Sequence, residues 1–296
     1  MHFIAAKTTT TTTTTTVRGP RWSAKIKVPY RAWLPDERPQ EILLCVHGLG
    51  FSSRSFTQFG RVMARRGFAV YAIDVRGFGE WMNRKEDEVN FEACLADIET
   101  ALKTMRKSYG NVPIFLVGES MGGAIALNAT SRYSTLVDGL ISSVPSSDRY
   151  SKFSSELLVG THYLTNKDKP MDIAPEVINR ATTDKALQEK WEADPTHRMK
   201  LTPRELKRFN DFMKQNNDAA ALIEKLPVLM LAGFKDKLVK PEGTIELFNS
   251  LSTQEKLLMV VGDGEHLLLE ENQLTDQLSQ LLYDWIKNAS KLRKQR

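Results

Sequence analysis

Along the chain, apolar residues fall into short unbroken runs separated by stretches with helical spacing. Ile42 to Val46 is a continuous apolar run, as expected of a strand covered on both faces. Helical spacing follows at Phe56, Phe59, Val62 and Met63, closed by Gly67, and Phe68 to Val75 is again strand-like. The unit repeats with a helix from about Asn90 to Tyr109, a strand from Ile114 to Val117, a helix from Ser120 to about Arg132, and a strand near Leu136 to Ser142. Ahead of these, Ala24 to Trp33 reads as a strand or hairpin, with a turn marked by Pro35, Asp36 and Pro39. Such alternation predicts an α/β fold, a mostly parallel sheet with helices on both faces.

From about Ser146 to Ala221 the rhythm stops. This segment is charged, rich in helix formers and without a strand-like apolar run, so it reads as a helical insertion. The rhythm resumes with a strand from Val228 to Leu231, a helix from about Pro241 to Leu251 and a strand from Lys256 to Val261. A terminal helix follows from about Asn272 to Leu292, its apolar stripe formed by Leu274, Leu278, Leu281, Leu282, Trp285 and Ile286. The expected organisation is a disordered Thr-rich start (1–20), a core made of 21–145 and 222–290, an inserted segment (146–221), and a basic tail (291–296). No internal repeat is present.

The strongest chemical signal is Gly118-Glu119-Ser120-Met121-Gly122, a G-x-S-x-G placed between a strand pattern and a helix pattern. A serine on so tight a strand-to-helix turn projects its hydroxyl above the sheet, and a Cβ at 118 or 122 would collide with the chain. The new helix also aims free N–H groups and its dipole at the place where an oxyanion would form, which makes Met121 N–H the expected first donor. A second donor should come from the loop after the first buried strand, where His47-Gly48-Leu49-Gly50 stands, and Leu49 N–H is the candidate.

Ser120 needs a base and the base needs an orienting acid, in the chain order Ser, Asp or Glu, His. His47 precedes the serine and reads as structural; His2 lies in the disordered start, and His162 and His197 fall in the insertion. His266, in the loop between the last strand and the last helix, is the candidate base. Asp236, just past the strand ending at Leu231, is the candidate acid, while Asp263 is the alternative but shares the loop of His266.

Composition removes other classes. No apolar run approaches the roughly 20 residues that span a bilayer. The net charge of +5 is concentrated at the end, where Lys287, Lys291, Arg293, Lys294 and Arg296 supply five positive charges. A terminal tuft is not the basic stripe that binds nucleic acid, and it reads as a solvated end, with weak peripheral contact to an anionic membrane as the alternative. The two cysteines, Cys45 and Cys94, fit a reducing cytoplasm, although the acid-free Thr8 to Thr16 run followed by Arg18 leaves an organelle address open. No cofactor or metal is implied: His, Asp and Glu show no ligand spacing, and Gly77-Phe78-Gly79 lacks the third glycine of a dinucleotide loop.

Together these residues resemble the monoacylglycerol lipase and lysophospholipase branch of the α/β-hydrolase superfamily, the serine aminopeptidase S33-type hydrolases. The resemblance runs from Ile42 to Ile286. It rests on the His47-Gly48 loop, Asp74 with Arg76-Gly77-Phe78-Gly79, the Gly118 to Gly123 elbow, Ala193-Asp194-Pro195, and the Asp236 and His266 loops. It implies that the insertion is a cap shaping an acyl pocket. Two departures, Glu119 where the family usually has His, and Glu80-Trp81 after Gly79, are expected at the rim of the site. Lys185 to Arg208 is dense in charge, with few apolar residues beyond Leu187, Trp191, Met199 and Leu201, which favours a soluble ester over an oil droplet.

The expected activity is hydrolysis of a small carboxylic ester (a monoacylglycerol, lysophospholipid or related acyl ester) through an acyl-enzyme on Ser120. A thioesterase, peptidase, perhydrolase or acyltransferase with the same triad, and a non-catalytic binding protein on the same scaffold, stay open, as does the oligomeric state.

Overall fold

A computed structural model describes residues 27–84, 88–145, 152–269 and 273–293, with the backbone alone for 152–158. The Thr-rich start and the last three residues lie outside the described residues, as does Asn272. In chain order the elements are β1 (Tyr30–Trp33), β2 (Glu41–Val46), α1 (Thr57–Arg65), β3 (Phe68–Ile73), α2 (Phe91–Tyr109), β4 (Ile114–Glu119), α3 (Met121–Arg132) and β5 (Gly139–Ser143). Then come α4 (Lys152–Asn166), β6 (Met171–Asp172), α5 (Ala174–Ala181), α6 (Lys185–Ala193), β7 (Lys200–Leu201), α7 (Pro203–Met213) and α8 (Asn216–Ala221). The chain closes with β8 (Val228–Gly233), α9 (Pro241–Ser250), β9 (Lys256–Val261) and α10 (Asp276–Arg293).

Seven strands form one sheet in the order β1-β3-β2-β4-β5-β8-β9. Only β1 runs antiparallel, against β3; the pairs β2–β3, β2–β4, β4–β5, β5–β8 and β8–β9 are parallel. This is the α/β-hydrolase fold.

The apolar runs are continuous because the sheet is covered twice. Ile42, Leu44 and Val46 of β2 face a core shared with α2 and α3, while Leu43 and Cys45 face the other core, built with α1 and α10. Each fully buried large side chain, such as Phe115 edge-on to Trp285 at 5.9 Å, contributes roughly 1.5–3 kcal/mol. Helix starts are written locally: Asn90 Oδ1 caps α2, and Thr202 with Glu205 makes a capping box at α7, with Pro203 at its first position.

Three readings are corrected. The strand after α3 begins at Gly139 rather than near Leu136, because Leu136 N–H closes a turn on Tyr133 and the Asp138 carboxylate is held by Ile114 N–H and Arg106. The insertion holds a two-residue ladder, Met171–Leu201 and Asp172–Lys200, too short for an apolar run to announce. Two residues of the basic end are not simply solvated: Lys287 binds the buried Glu41 at 2.9 Å, and Arg293, within α10, binds Asp138 at 2.7 Å, while Lys294 and Arg296 lie outside the described residues. Two of its five cations therefore tie the last helix to the sheet. Among the described residues, no helix is long and apolar enough to cross a membrane.

Candidate active site

β4 is the fourth strand of seven, and at its carboxyl end the chain must turn at once into α3. It does so through Ser120, at φ 55° and ψ −119°, with Ser120 N–H donating to Ser143 of β5 at 2.9 Å. A non-glycine residue held in this region stores strain, and neighbours must be small for the turn to close. A Cβ on Gly118 would lie 2.0 Å from the Gly122 carbonyl oxygen, and one on Gly122 would lie 1.9 Å from that of Val46. The steric requirement read from the motif is met by backbone, which cannot step aside.

Parallel pairing of β8 with β9 brings the next two loops together at the same end of the sheet. Phe234 N–H donates to Val261 and Lys235 N–H to Gly264, both at 2.9 Å, so the loops are laced edge to edge. This places Asp236 and His266 against each other: His266 Nδ1 lies 2.8 Å from Asp236 Oδ2, and Nε2 lies 2.7 Å from Ser120 Oγ. Asp236 Oδ1 accepts from Leu238 and Val239 N–H at 2.7 and 2.9 Å, which orients the carboxylate. All three side chains are buried, Ser120 at 4%, Asp236 at 4% and His266 at 1% exposure. With Nδ1–H donating to the carboxylate, Nε2 is left to accept the serine hydroxyl proton.

The alternatives fall elsewhere. The Asp263 side chain is 94% exposed and pairs with Lys235 at 2.5 Å. His47 is a latch between two loops: its Nδ1 meets Gly48 O at 2.8 Å and its Nε2 accepts Val75 N–H at 3.0 Å. Burial lowers its pKa, against the opposing pull of Asp74, as suits a neutral ring. His162 is exposed on α4, and His197 packs edge-on to Phe51.

Gly48 lies directly against Ser120, since a Cβ there would stand 3.5 Å from Ser120 Cβ. Leu49 is therefore the next amide along a loop touching Ser120, and among the described residues its N–H meets no backbone carbonyl. Met121 N–H opens α3 and has no intrahelical partner.

Of the two departures from the family pattern, Glu119 and Trp81 are buried rather than at a rim, while Glu80 is exposed. Glu119 is 2% exposed, its Oε1 accepting from Leu269 N–H at 2.9 Å and Ser143 Oγ–H at 3.2 Å, and burial pushes its pKa up to about 7. Trp81 is 2% exposed and donates to the Asp74 carbonyl at 2.9 Å, with the Arg76 guanidinium 3.7 Å from its ring centroid.

Sequence reasoning missed what the insertion does to these loops. Arg198 N–H donates to the Gly50 carbonyl, Ser52 Oγ meets Thr196 Oγ1 at 3.0 Å, and His266 N–H donates to Ala181 O at 3.2 Å. The Glu265 carboxylate accepts from Thr182 Oγ1–H, Thr183 N–H and Thr183 Oγ1–H. One local signal existed: Asp194-Pro195-Thr196 folds as an Asx turn, Oδ1 accepting Thr196 N–H at 2.8 Å. Leu187, Trp191 and Leu201 are buried, at 5%, 5% and 0% exposure, and they reach out of the insertion: Trp191 packs edge-on to Phe51 at 5.2 Å, Leu187 shares a cluster with Phe51 and Leu267, and Leu201 joins the core shared with α2 and α3.

The sequence matches the serine aminopeptidase (S33) family over residues 37–273. It is 26% identical over 263 residues to the monoglyceride lipase of Rattus norvegicus, covering 86% of this chain and 85% of that one. It is 22% identical over 247 residues to the monoacylglycerol lipase of Mycolicibacterium smegmatis, covering 83% and 88%. In three dimensions it is similar to a soluble variant of monoglyceride lipase from Saccharomyces cerevisiae, with a TM-score of 0.75 at 18% identity over 89% of this chain and 91% of that one. Because the family match begins before β2 and ends beyond the His266 loop, it takes in both halves of the sheet and the insertion between them, and the chain belongs to the serine aminopeptidase (S33) family of α/β hydrolases.

Proposed function

We propose that this chain is a serine hydrolase of carboxylic esters that works through an acyl-enzyme on Ser120. The observation that carries the reading is the position of His266, bridging Ser120 and Asp236 at 2.7 and 2.8 Å in a buried site. In this reading His266 Nε2 takes the proton of Ser120 Oγ as the oxygen attacks the ester carbonyl carbon. Asp236 holds the tautomer and stabilises the imidazolium. The Leu49 and Met121 N–H groups meet the oxyanion, a role for which one donor contributes roughly 3–4 kcal/mol. His266 then returns the proton to the departing alcohol. A water attacks the acyl-enzyme by the same route in reverse, releasing the acid and restoring Ser120.

The substrate class is a monoacylglycerol, a lysophospholipid or a related small acyl ester, supported by the monoglyceride lipases among the relatives. The insertion, 146–221, acts as the cap over the acyl pocket. The test is initial rates on p-nitrophenyl esters of increasing acyl length, with Ser120→Ala and His266→Ala as controls. Saturable turnover lost in both variants is expected, the preferred length sizing the pocket; turnover equal to that of the variants sinks the ester reading.

A further inference from the structure

Glu119 stands one residue before the nucleophile, and none of the roles assigned to Ser120, His266 and Asp236 uses it. It is the last residue of β4, in register with Ser143 of β5, and its side chain is enclosed. Its Oε1 receives two hydrogen bonds: Ser143 Oγ–H at 3.2 Å and Leu269 N–H at 2.9 Å. Leu269 lies three residues beyond His266, in the same loop.

That loop depends on the bond. Before His266 it is laced to β8 and the insertion, through Lys235 N–H on Gly264 O and His266 N–H on Ala181 O. After His266, Leu267, Leu268 and Leu269 are buried, and among the described residues the only hydrogen bond their amides make is the one to Glu119. The strand carrying the nucleophile and the loop carrying the base are thus joined directly by one carboxyl group.

We propose that Glu119 is a positioning residue: as a hydrogen-bond acceptor it holds the 266–269 loop at the height where His266 Nε2 meets Ser120 Oγ, acting through its shape and not through its charge. The proposal rests on the ester-hydrolase reading for its kinetic test. Two observations separate shape from charge. Both bonds fall on the same oxygen, so a proton on Oε2 breaks neither. The titratable groups facing the carboxyl are Cys45 from β2 and the His266 and Asp236 side chains from the loops after β9 and β8; burial outweighs them and moves its titration up to about 7, so the neutral acid is accessible near neutrality. Glutamine reproduces Oε1 and removes the charge, which makes it the discriminating substitution.

The experiment compares wild type, Glu119→Gln and Glu119→Ala for kcat and KM on a short p-nitrophenyl ester across pH, and for the rate at which a serine-directed phosphonate labels Ser120. Glu119→Gln is expected to keep kcat within about threefold, with an unmoved acid limb of kcat/KM, while Glu119→Ala loses roughly 30-fold in kcat with KM within about twofold. A large loss or a shifted limb in Glu119→Gln overturns the proposal in favour of charge; a folded Glu119→Ala with near-normal kcat overturns it outright. Should Glu119→Ala not fold, hydrogen exchange at the Leu269 amide decides: protection retained in Glu119→Gln supports the tether, and loss refutes it. Wild type that is labelled but does not turn over esters overturns the functional reading alone, and the labelling rates of the variants then judge Glu119.

Discussion

Arg198 N–H donates to the carbonyl of Gly50 at 2.7 Å, and the Met199 sulfur lies 2.7 Å from where a Cβ on Gly50 would stand. The insertion thereby grips the loop that touches Ser120, while Ala181, Thr182 and Thr183 grip the loop of His266 from the other side. The segment from α5 to β7 braces both of the loops that reach Ser120.

Glu265→Ala deprives three donors of that brace of their acceptor in one step. We expect kcat to fall roughly tenfold through misplacement of His266, and stability to fall by about 1–2 kcal/mol, since Thr183 is exposed and recovers its bonds from water. Steady-state kinetics and urea unfolding measure both; unchanged kcat would show that the brace is dispensable.

Asp236→Asn keeps the volume of the side chain but loses the acceptor that selects the His266 tautomer. A drop of about 10⁴ in kcat with an unchanged circular dichroism spectrum is expected. Asp263→Asn, on an exposed side chain paired with Lys235, should change kcat less than about twofold. If the two variants behave alike, the acid has been misassigned.

The two glycines with opposite surroundings give a test of the elbow. Gly122→Ala drives a Cβ to 1.9 Å from a backbone oxygen, whereas Gly160, in α4, has nothing within 4 Å of that position. Gly122→Ala should fail to give folded, active protein, and Gly160→Ala should stabilise it by about 0.5–1 kcal/mol through helix propensity. Thermal denaturation of the pair is the measurement.

Glu119 makes stability depend on pH in a predictable sense. Its folded titration, held at about 7 by burial, lies above the ordinary 4.5. Between those values the unfolded chain has released a proton that the native chain still binds, so stability falls as pH rises through this window and levels off above it. The contribution is on the order of 3 kcal/mol. Urea unfolding of wild type and Glu119→Gln at about pH 5 and about pH 8 isolates it: the wild type should lose more stability on going to the higher pH, and parallel behaviour would contradict the buried carboxyl.

Much of this molecule is legible without coordinates, for a physical reason. Strand and helix follow from backbone periods of two and 3.6, so the strand over Ile42 to Val46, the strand that starts at Phe68 (read to Val75, ending at Ile73) and the helix that ends at Tyr109 announce themselves through spacing. The Gly118 to Gly122 turn is equally local, since close backbone approach demands glycine whatever surrounds it. The order of Ser120, Asp236 and His266 along the chain then assigned their loops. Direction and partner were beyond spacing. Whether Glu119 turns toward solvent or inward depends on Leu269, 150 residues away, and whether Lys287 is solvated depends on Glu41, 246 residues away. The grip of the insertion on the Gly50 and His266 loops belongs to the same class. Periodicity is a property of one segment; a hydrogen bond between distant segments exists only once the sheet has set their register, and that was decided by the tertiary structure.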